Sequence, residues 1–465
     1  MILENALNII LSLSIPWLMG FAFLSLLFPD RTFPFWPKVA LSYGLGFGVL
    51  TQYMLLLGIL KIPYSKETLD LPLLGLTICV SFFNAYQTRR TQPQNLKTAP
   101  MDEQTLKTLC RSKPALTIFK FLLTIIIIYY ALLIFWKVWA IPFTGFDTFS
   151  WIALKAKVFF FHPSLKDIIN APHFSYPLHL PFTLAYFAFN IGSWQDHLLQ
   201  SFLPFTFLSY LVIQHYFLRT LTDDLWSLTG VILLISSSFL FNMAGICYAD
   251  FPLLYYNCTA LILLILWQRE PGYRLLILAG LFSGFATFVK FEGTAYWLIH
   301  IALLVKILMD QKDLSLNQKV KSFFLFSGPS FVLTAGFYIV KAIFQAPLGK
   351  HFIAFNIDVF HRPLIIAKTF LIYTFPNSDW NIIWFLLLLS YISSWGKEKS
   401  PETRLLSLSL FMFFGLYFLA ALLTSEYAWL AGPAAADVLP RLFLHFFPLA
   451  TWLICLLNYK PSLLK

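Results

Sequence analysis

The sequence predicts an all-α integral membrane protein with roughly thirteen transmembrane helices. Further interfacial helices are expected in its first large extracytoplasmic loop. Three observations carry the prediction. Charged residues make up only 12% of the chain, about half the share usual in a soluble domain. Hydrophobic residues make up 58%, and Phe alone contributes 51 of 465 positions. Apolar runs of about 20 residues recur along the whole length, and no polar stretch between them exceeds about 35 residues, too few for a soluble domain.

The elements follow in order. Apolar runs at 6–28, 39–60 and 69–86 form an N-terminal three-helix unit, which ends in a basic segment and sets 1–114 apart from 115–465. The first of these runs follows only Glu4 and has no basic flank, so it reads as a retained span and not a cleaved signal. Spans are then expected at 115–141, 197–218, 225–243, 251–268, 275–290, 294–309, 322–344, 380–395, 405–424 and 441–458. Two apolar segments in the 142–196 loop, 147–161 and 177–191, are short and broken by Lys or Pro, which predicts helices lying in the interface. The five cysteines are scattered without a CxxC pair, and the sequon at Asn257 falls inside a span.

The net charge of +11 sits in short loops and so reads as a topology signal, not a nucleic-acid surface. Segment 87–114 holds the densest Lys/Arg cluster and is expected on the cytoplasmic side. If 177–191 does not cross, the basic loops at 269–274, 306–321 and 397–404 fall on that side too. The opposite face then collects Asp147, the "CYADFP" turn, the "KFEG" turn, the 345–379 loop and "EYAWLAGPAAADVLPR" with Glu426, Asp437 and Arg441. Nearly all the unusual polar residues share one end.

Each of these residues has a structural explanation beside a functional one. Asp147, before a helical-looking run, suits an N-cap. Lys155 and Lys157 lie about 80° to either side of it on a helix, and suit headgroup anchoring or a site beside Asp147. In "HFSYPLHLPF", His173, Tyr176 and His179 suit a Pro-kinked interfacial helix, and the two histidines lack helical metal-ligand spacing. Tyr248 and Asp250 open a span before Pro252, again an N-cap pattern. Lys290 and Glu292 suit a local ion pair, yet charges at membrane depth are costly unless paired or facing a wet cavity. Arg441, and His361 with Arg362 in "HFIAFNIDVFHRP", add cations suited to phosphate. No P-loop, dinucleotide fingerprint, GxSxG or HExxH is present, so soluble nucleotide chemistry has no support.

"FDTFSWIALKAKVFF" followed by "YPLHLPF", then "YADFPLLYY" and "FVKFEGTAYWLI", resembles the GT-C superfamily of membrane glycosyltransferases over roughly 115–455. The nearer likeness is to bacterial relatives of protein O-mannosyltransferases and lipid A aminoarabinose transferases. The resemblance implies an inverting enzyme that moves a sugar from a polyprenyl-phosphate donor to a lipid, glycan or protein acceptor on the extracytoplasmic face. It places the protein in a bacterial inner membrane. By position, Asp147 matches the family's catalytic first-loop acid and Asp250 the acid of the second external turn. Lys290 and Arg441 match basic residues that hold the lipid phosphate. The sequence departs from the protein mannosyltransferases in lacking a second acid beside Asp147, in reading "YPLHLP" for a His-Pro-Pro box, and in having no large soluble domain. A divalent ion (Mg or Mn) shared by Asp147 and Asp250 is open as a cofactor. An O-antigen ligase or polymerase, for which the His351–Pro363 stretch is the partial signature, and a lipid-linked-sugar transporter are the alternatives.

Overall fold

The computed structural model describes residues 2–29, 33–91, 114–170, 176–343 and 360–460. Among them the regular secondary structure is helical, and the apolar segments expected to span are helical, two of them (225–243 and 441–458) as bent helix pairs. The N-terminal unit is α1 (Ile2–Leu27), α2 (Phe35–Ile59) and α3 (Lys66–Thr91), followed by α4 (Pro114–Ala140). The loop after α4 holds α5 (Ala153–Phe161) and α6 (His179–Ile191). Then come α7 (Leu203–Leu221), α8 (Asp224–Ile235), α9 (Ser238–Ala244), α10 (Asp250–Arg269), α11 (Tyr273–Val289), α12 (Glu292–Asp310) and α13 (Leu316–Ile343). The chain closes with α14 (Arg362–Thr374), α15 (Ile383–Ser393), α16 (Pro401–Leu423), α17 (Ala435–Leu444) and α18 (Phe447–Asn458).

Among the described residues, 9 helices are long and apolar enough to cross a membrane, or up to 11 if α8–α9 and α17–α18 each count as one bent span. The chain is an integral membrane protein. The α8–α9 pair turns by 79° at a run of serines. Ser237 caps α9 by accepting from Leu240 N at 3.1 Å, which restarts the helix in a new direction. The α17–α18 pair turns by 53° at His445, just ahead of Pro448. The expected spans at 275–290 and 380–395 are the shorter apolar helices α11 and α15.

Burial separates a centre from a rim. Every residue in the most apolar window of α10 is buried, against 17% in α3 and in α4, whose exposed side chains include Phe82, Phe121 and Trp136. Apolar side chains facing outward are what a hydrocarbon solvent requires. The N-terminal helices are not a separate packing unit. Tyr255 and Tyr256 of α10 donate to the carbonyls of Ala40 and Gly44 (3.0 and 2.8 Å), and Tyr43 donates to that of Phe202 at 2.8 Å. A Cβ on Gly46 would lie 1.9 Å from the carbonyl oxygen of Pro16, so α1 and α2 approach as closely as small residues allow.

One local expectation is corrected, and one element is more enclosed than its sequence suggests. The side chains of α6 from His179 to Ala188 are all buried in protein. Its 13 residues rise about 20 Å, short of a bilayer core of about 30 Å. Lys155 does not reach for headgroups; it turns inward and is fully buried, while Lys157 stays exposed over the Trp194 ring.

Candidate active site

Four chain segments meet at one end of the helices. After α4, Gly145 takes a left-handed conformation (φ +87) directly against the Tyr248 ring, where a Cβ would lie 2.6 Å from the ring. The backbone N–H of Asp147 then faces the Tyr248 hydroxyl at 3.4 Å, and Thr148 Oγ1 donates to the carbonyl of Cys247 at 3.2 Å. The Asp147 loop is thereby fastened to the segment that leads into Asp250. Asp250 is the first residue of α10, Glu292 the first of α12, and Lys290 an extended residue between α11 and α12.

Arg441 of α17 joins them. Its guanidinium lies over the Tyr248 ring, 4.7 Å from the centroid. Nε and Nη2 donate to Asp250 Oδ2 at 3.2 and 2.8 Å, and Nη2 also donates to Asp147 Oδ2. Lys290 Nζ bridges Asp250 Oδ1 (3.0 Å) and Glu292 Oε1 (2.9 Å). Burial alone would lower the Lys290 pKa, but Asp250 and Glu292 outweigh it and hold the amine above its ordinary range.

His445 completes the cluster from beneath. Nε2–H donates to Asp250 Oδ1 at 3.1 Å, and Nδ1 accepts from the Tyr296 hydroxyl at 2.8 Å, a pair of contacts that a neutral imidazole satisfies. Tyr296 in turn meets the Tyr417 hydroxyl, and the His445 carbonyl accepts from Asn257 Nδ2 at 2.9 Å.

The two aspartates are therefore unlike. Asp250 has no exposed surface and four donor contacts from three side chains, so its lone pairs are spoken for. The Asp147 side chain is 22% exposed. Neither acts as the helix cap its position suggested: Asp147 makes no side-chain cap bond, and Asp250 is inside its helix, capped by Ala249 without a side-chain bond. Arg441 and Lys290 are committed to carboxylates. With His445 neutral, Asp147, Asp250 and Glu292 outnumber them by one negative charge. A divalent ion shared by Asp147 and Asp250 would have to displace Arg441. Among the described residues, no group of three or more His, Cys, Asp or Glu is placed to hold a metal.

Of the remaining expected site residues, Tyr176 and Lys155 lie beside the cluster, since Tyr176 packs on Phe291 between Lys290 and Glu292 (5.1 Å between centroids). His179 is elsewhere, hydrogen-bonded through Nδ1 to Thr51 Oγ1 at 2.9 Å. Arg362 stacks over Tyr427 (4.6 Å) and donates to the Thr424 carbonyl at 3.1 Å, and His361 is exposed at the start of α14. His173, His351, Asp358 and most of the basic 87–114 segment lie outside the described residues. His445 was not anticipated, although it sits four residues after Arg441 in "RLFLHFFP", a spacing that puts both on one helix face. No protein-family model, no curated protein and no solved structure matches this chain.

Proposed function

We propose that the chain is a membrane glycosyltransferase of the GT-C kind, with its helices crossing about thirteen times and the acid cluster on the extracytoplasmic side of a bacterial inner membrane. It moves a sugar from a polyprenyl-phosphate donor to a lipid, glycan or protein acceptor. The observation that carries the reading is the pairing of an accessible Asp147 with a buried, saturated Asp250 through a single guanidinium. Asp250, Arg441, Lys290 and His445 form a rigid base that fixes Asp147 in place. Asp147 then takes the proton of an acceptor hydroxyl as that oxygen attacks the anomeric carbon. The bond from that carbon to the phosphate oxygen breaks, and polyprenyl phosphate leaves. One accessible base without a second nucleophilic carboxylate fits inversion.

The test is mass-spectrometric profiling of lipid-linked sugars and envelope glycans in cells carrying wild-type protein, no protein, or Asp147→Asn. The expected result is accumulation of one polyprenyl-phosphate sugar and loss of one glycan modification, alike in the last two. In vitro transfer should fall about 10²–10⁴-fold in Asp147→Asn. Wild-type glycans in Asp147→Asn cells would remove Asp147 as the base. A second reading, a lipid-linked-sugar transporter, is favoured by one feature: the buried chain Asp250–His445–Tyr296–Tyr417 resembles a proton path. It would leave the purified protein without transfer activity and strand the donor on the cytoplasmic leaflet.

A further inference from the structure

Within the first two turns of α10, below Asp250, the protein encloses a small cavity between α2, α6, α7 and α10. Tyr43, His179, Thr183, Thr206, Tyr255 and Tyr256 are among its lining residues, and all of them are buried. His179 opens α6, and the proposed mechanism makes no use of it. Its Nδ1 lies 2.9 Å from Thr51 Oγ1. The Thr51 hydroxyl has one hydrogen and two α2 carbonyls within reach, those of Phe47 (3.1 Å) and Gly48 (3.0 Å). That hydrogen goes to the carbonyls, so the Thr51 oxygen accepts from Nδ1–H and Nε2 is left with the lone pair. Burial pulls the imidazole pKa down to about 3, which keeps Nε2 unprotonated. Among the described residues, the bond to Thr51 is the imidazole's only hydrogen bond.

The hydroxyls around the cavity offer acceptors and no free hydrogen. Tyr43 donates to the Phe202 carbonyl (2.8 Å), Tyr255 to that of Ala40 (3.0 Å), Tyr256 to that of Gly44 (2.8 Å) and Thr183 to that of His179 (2.9 Å). Thr206 donates to the Phe202 carbonyl at 3.2 Å or to the Tyr43 oxygen at 2.9 Å. Each hydroxyl hydrogen is spent on a protein acceptor, while the oxygens keep lone pairs. A partner for Nε2 must therefore bring its own hydrogens. It must also be neutral, because no carboxylate lines the cavity and an alkali or ammonium ion there would be a buried, unbalanced charge. It must be small, since the free volume of about 10 Å³ is the lower limit for one water. We infer that the cavity binds a single water molecule, which donates to His179 Nε2 and to a lining hydroxyl oxygen. The water ties α6 to the helix that begins with Asp250, a polar link in surroundings that are otherwise aromatic. The site does not rest on the glycosyltransferase reading.

The experiment uses the full chain in nanodiscs. Ordered water is read from density maps, and the imidazole from nitrogen NMR of isotope-labelled histidine, with the His179 signals identified by their loss in His179→Phe. The expected result in wild type is one density feature about 2.7–3.2 Å from Nε2, a protonated Nδ1 and an Nε2 signal of a hydrogen-bonded acceptor. His179→Phe should lose the density. Thr183→Ile adds one carbon to the lining and should expel the water while keeping the bond to Thr51, so that the Nε2 signal moves to that of a bare acceptor. A wild-type map without density in the cavity overturns the site, whatever the variants do. Density that appears only with an alkali or ammonium salt present overturns water in favour of a cation. A protonated Nε2 overturns the count of donors and acceptors. An Nε2 signal left unchanged by Thr183→Ile, in protein that melts with wild type, overturns the bond from water to His179.

Discussion

Arg441→Gln is the perturbation that most directly tests the geometry of the acid cluster. In the native protein three carboxylates face two cations, and Arg441 is the only described side chain that touches both Asp147 and Asp250. Replacing it leaves Lys290 alone against three acids and strips Asp250 Oδ2 of both its donors. Removing one partner of a buried ion pair costs about 3–5 kcal/mol, and the partial exposure of Asp147 sets the estimate near the lower bound, about 3 kcal/mol. For a chain of 465 residues that corresponds to a fall of about 3–6 °C in apparent unfolding temperature. Asp250→Asn should do less, about 1–3 kcal/mol. It leaves Arg441 with Asp147 and Lys290 with Glu292, one acid for each cation. Arg441→Lys should recover only part of the loss, since a point charge cannot bridge two carboxylates as a planar fork does. The assay is thermal unfolding of detergent-purified protein, followed by tryptophan fluorescence. An Arg441→Gln protein that melts with wild type, or an Asp250→Asn protein that melts below the Arg441→Gln protein, would refute the charge balance argued here.

Two further outcomes are expected. Lys290 titrates above its ordinary value of 10.5 in the folded protein, so its contribution to stability is complete below that pH and is lost as pH rises through the higher folded value. The unfolding temperature should therefore drop in that alkaline window in wild type and drop less in Lys290→Met. Gly46→Leu should separate α1 from α2, costing about 1–3 kcal/mol or more from overpacking against Pro16, and is read by the same melt; an unchanged melt would mean the two helices do not approach as described.

The spans were legible because a segment crossing hydrocarbon must be apolar for about 20 residues, a signal that survives without any tertiary information. The break at Ser236–Ser238 was not, since three serines in an apolar run look like tolerated polar residues until the Ser237 hydroxyl donates to the backbone carbonyl of Asp379 (2.7 Å). Within the site, Asp147, Asp250, Lys290, Glu292 and Arg441 stood out as charges at the edges of apolar runs. What each charge pairs with depends on which helices are neighbours, and the sequence does not state that. Arg441 and Lys290 read as phosphate ligands from the sequence, and the structure adds that both are also paired with the acids. Lys155 shows the same limit: helical spacing places it near the Asp147 side but cannot tell an inward lysine from one reaching for headgroups.

The distribution of the cluster along the chain bears on how the protein is made. Asp147, Asp250 and Glu292 are synthesised and inserted well before Arg441, which belongs to the last helix pair. Until that pair arrives, three acids share Lys290 as their counter-ion in the cluster, at a depth where unbalanced charge is expensive. The bent pair α17–α18 thus acts as a closing clasp. A nascent or truncated chain lacking it would expose a strongly acidic, poorly packed end, a mark by which membrane quality control can distinguish unfinished copies from finished ones.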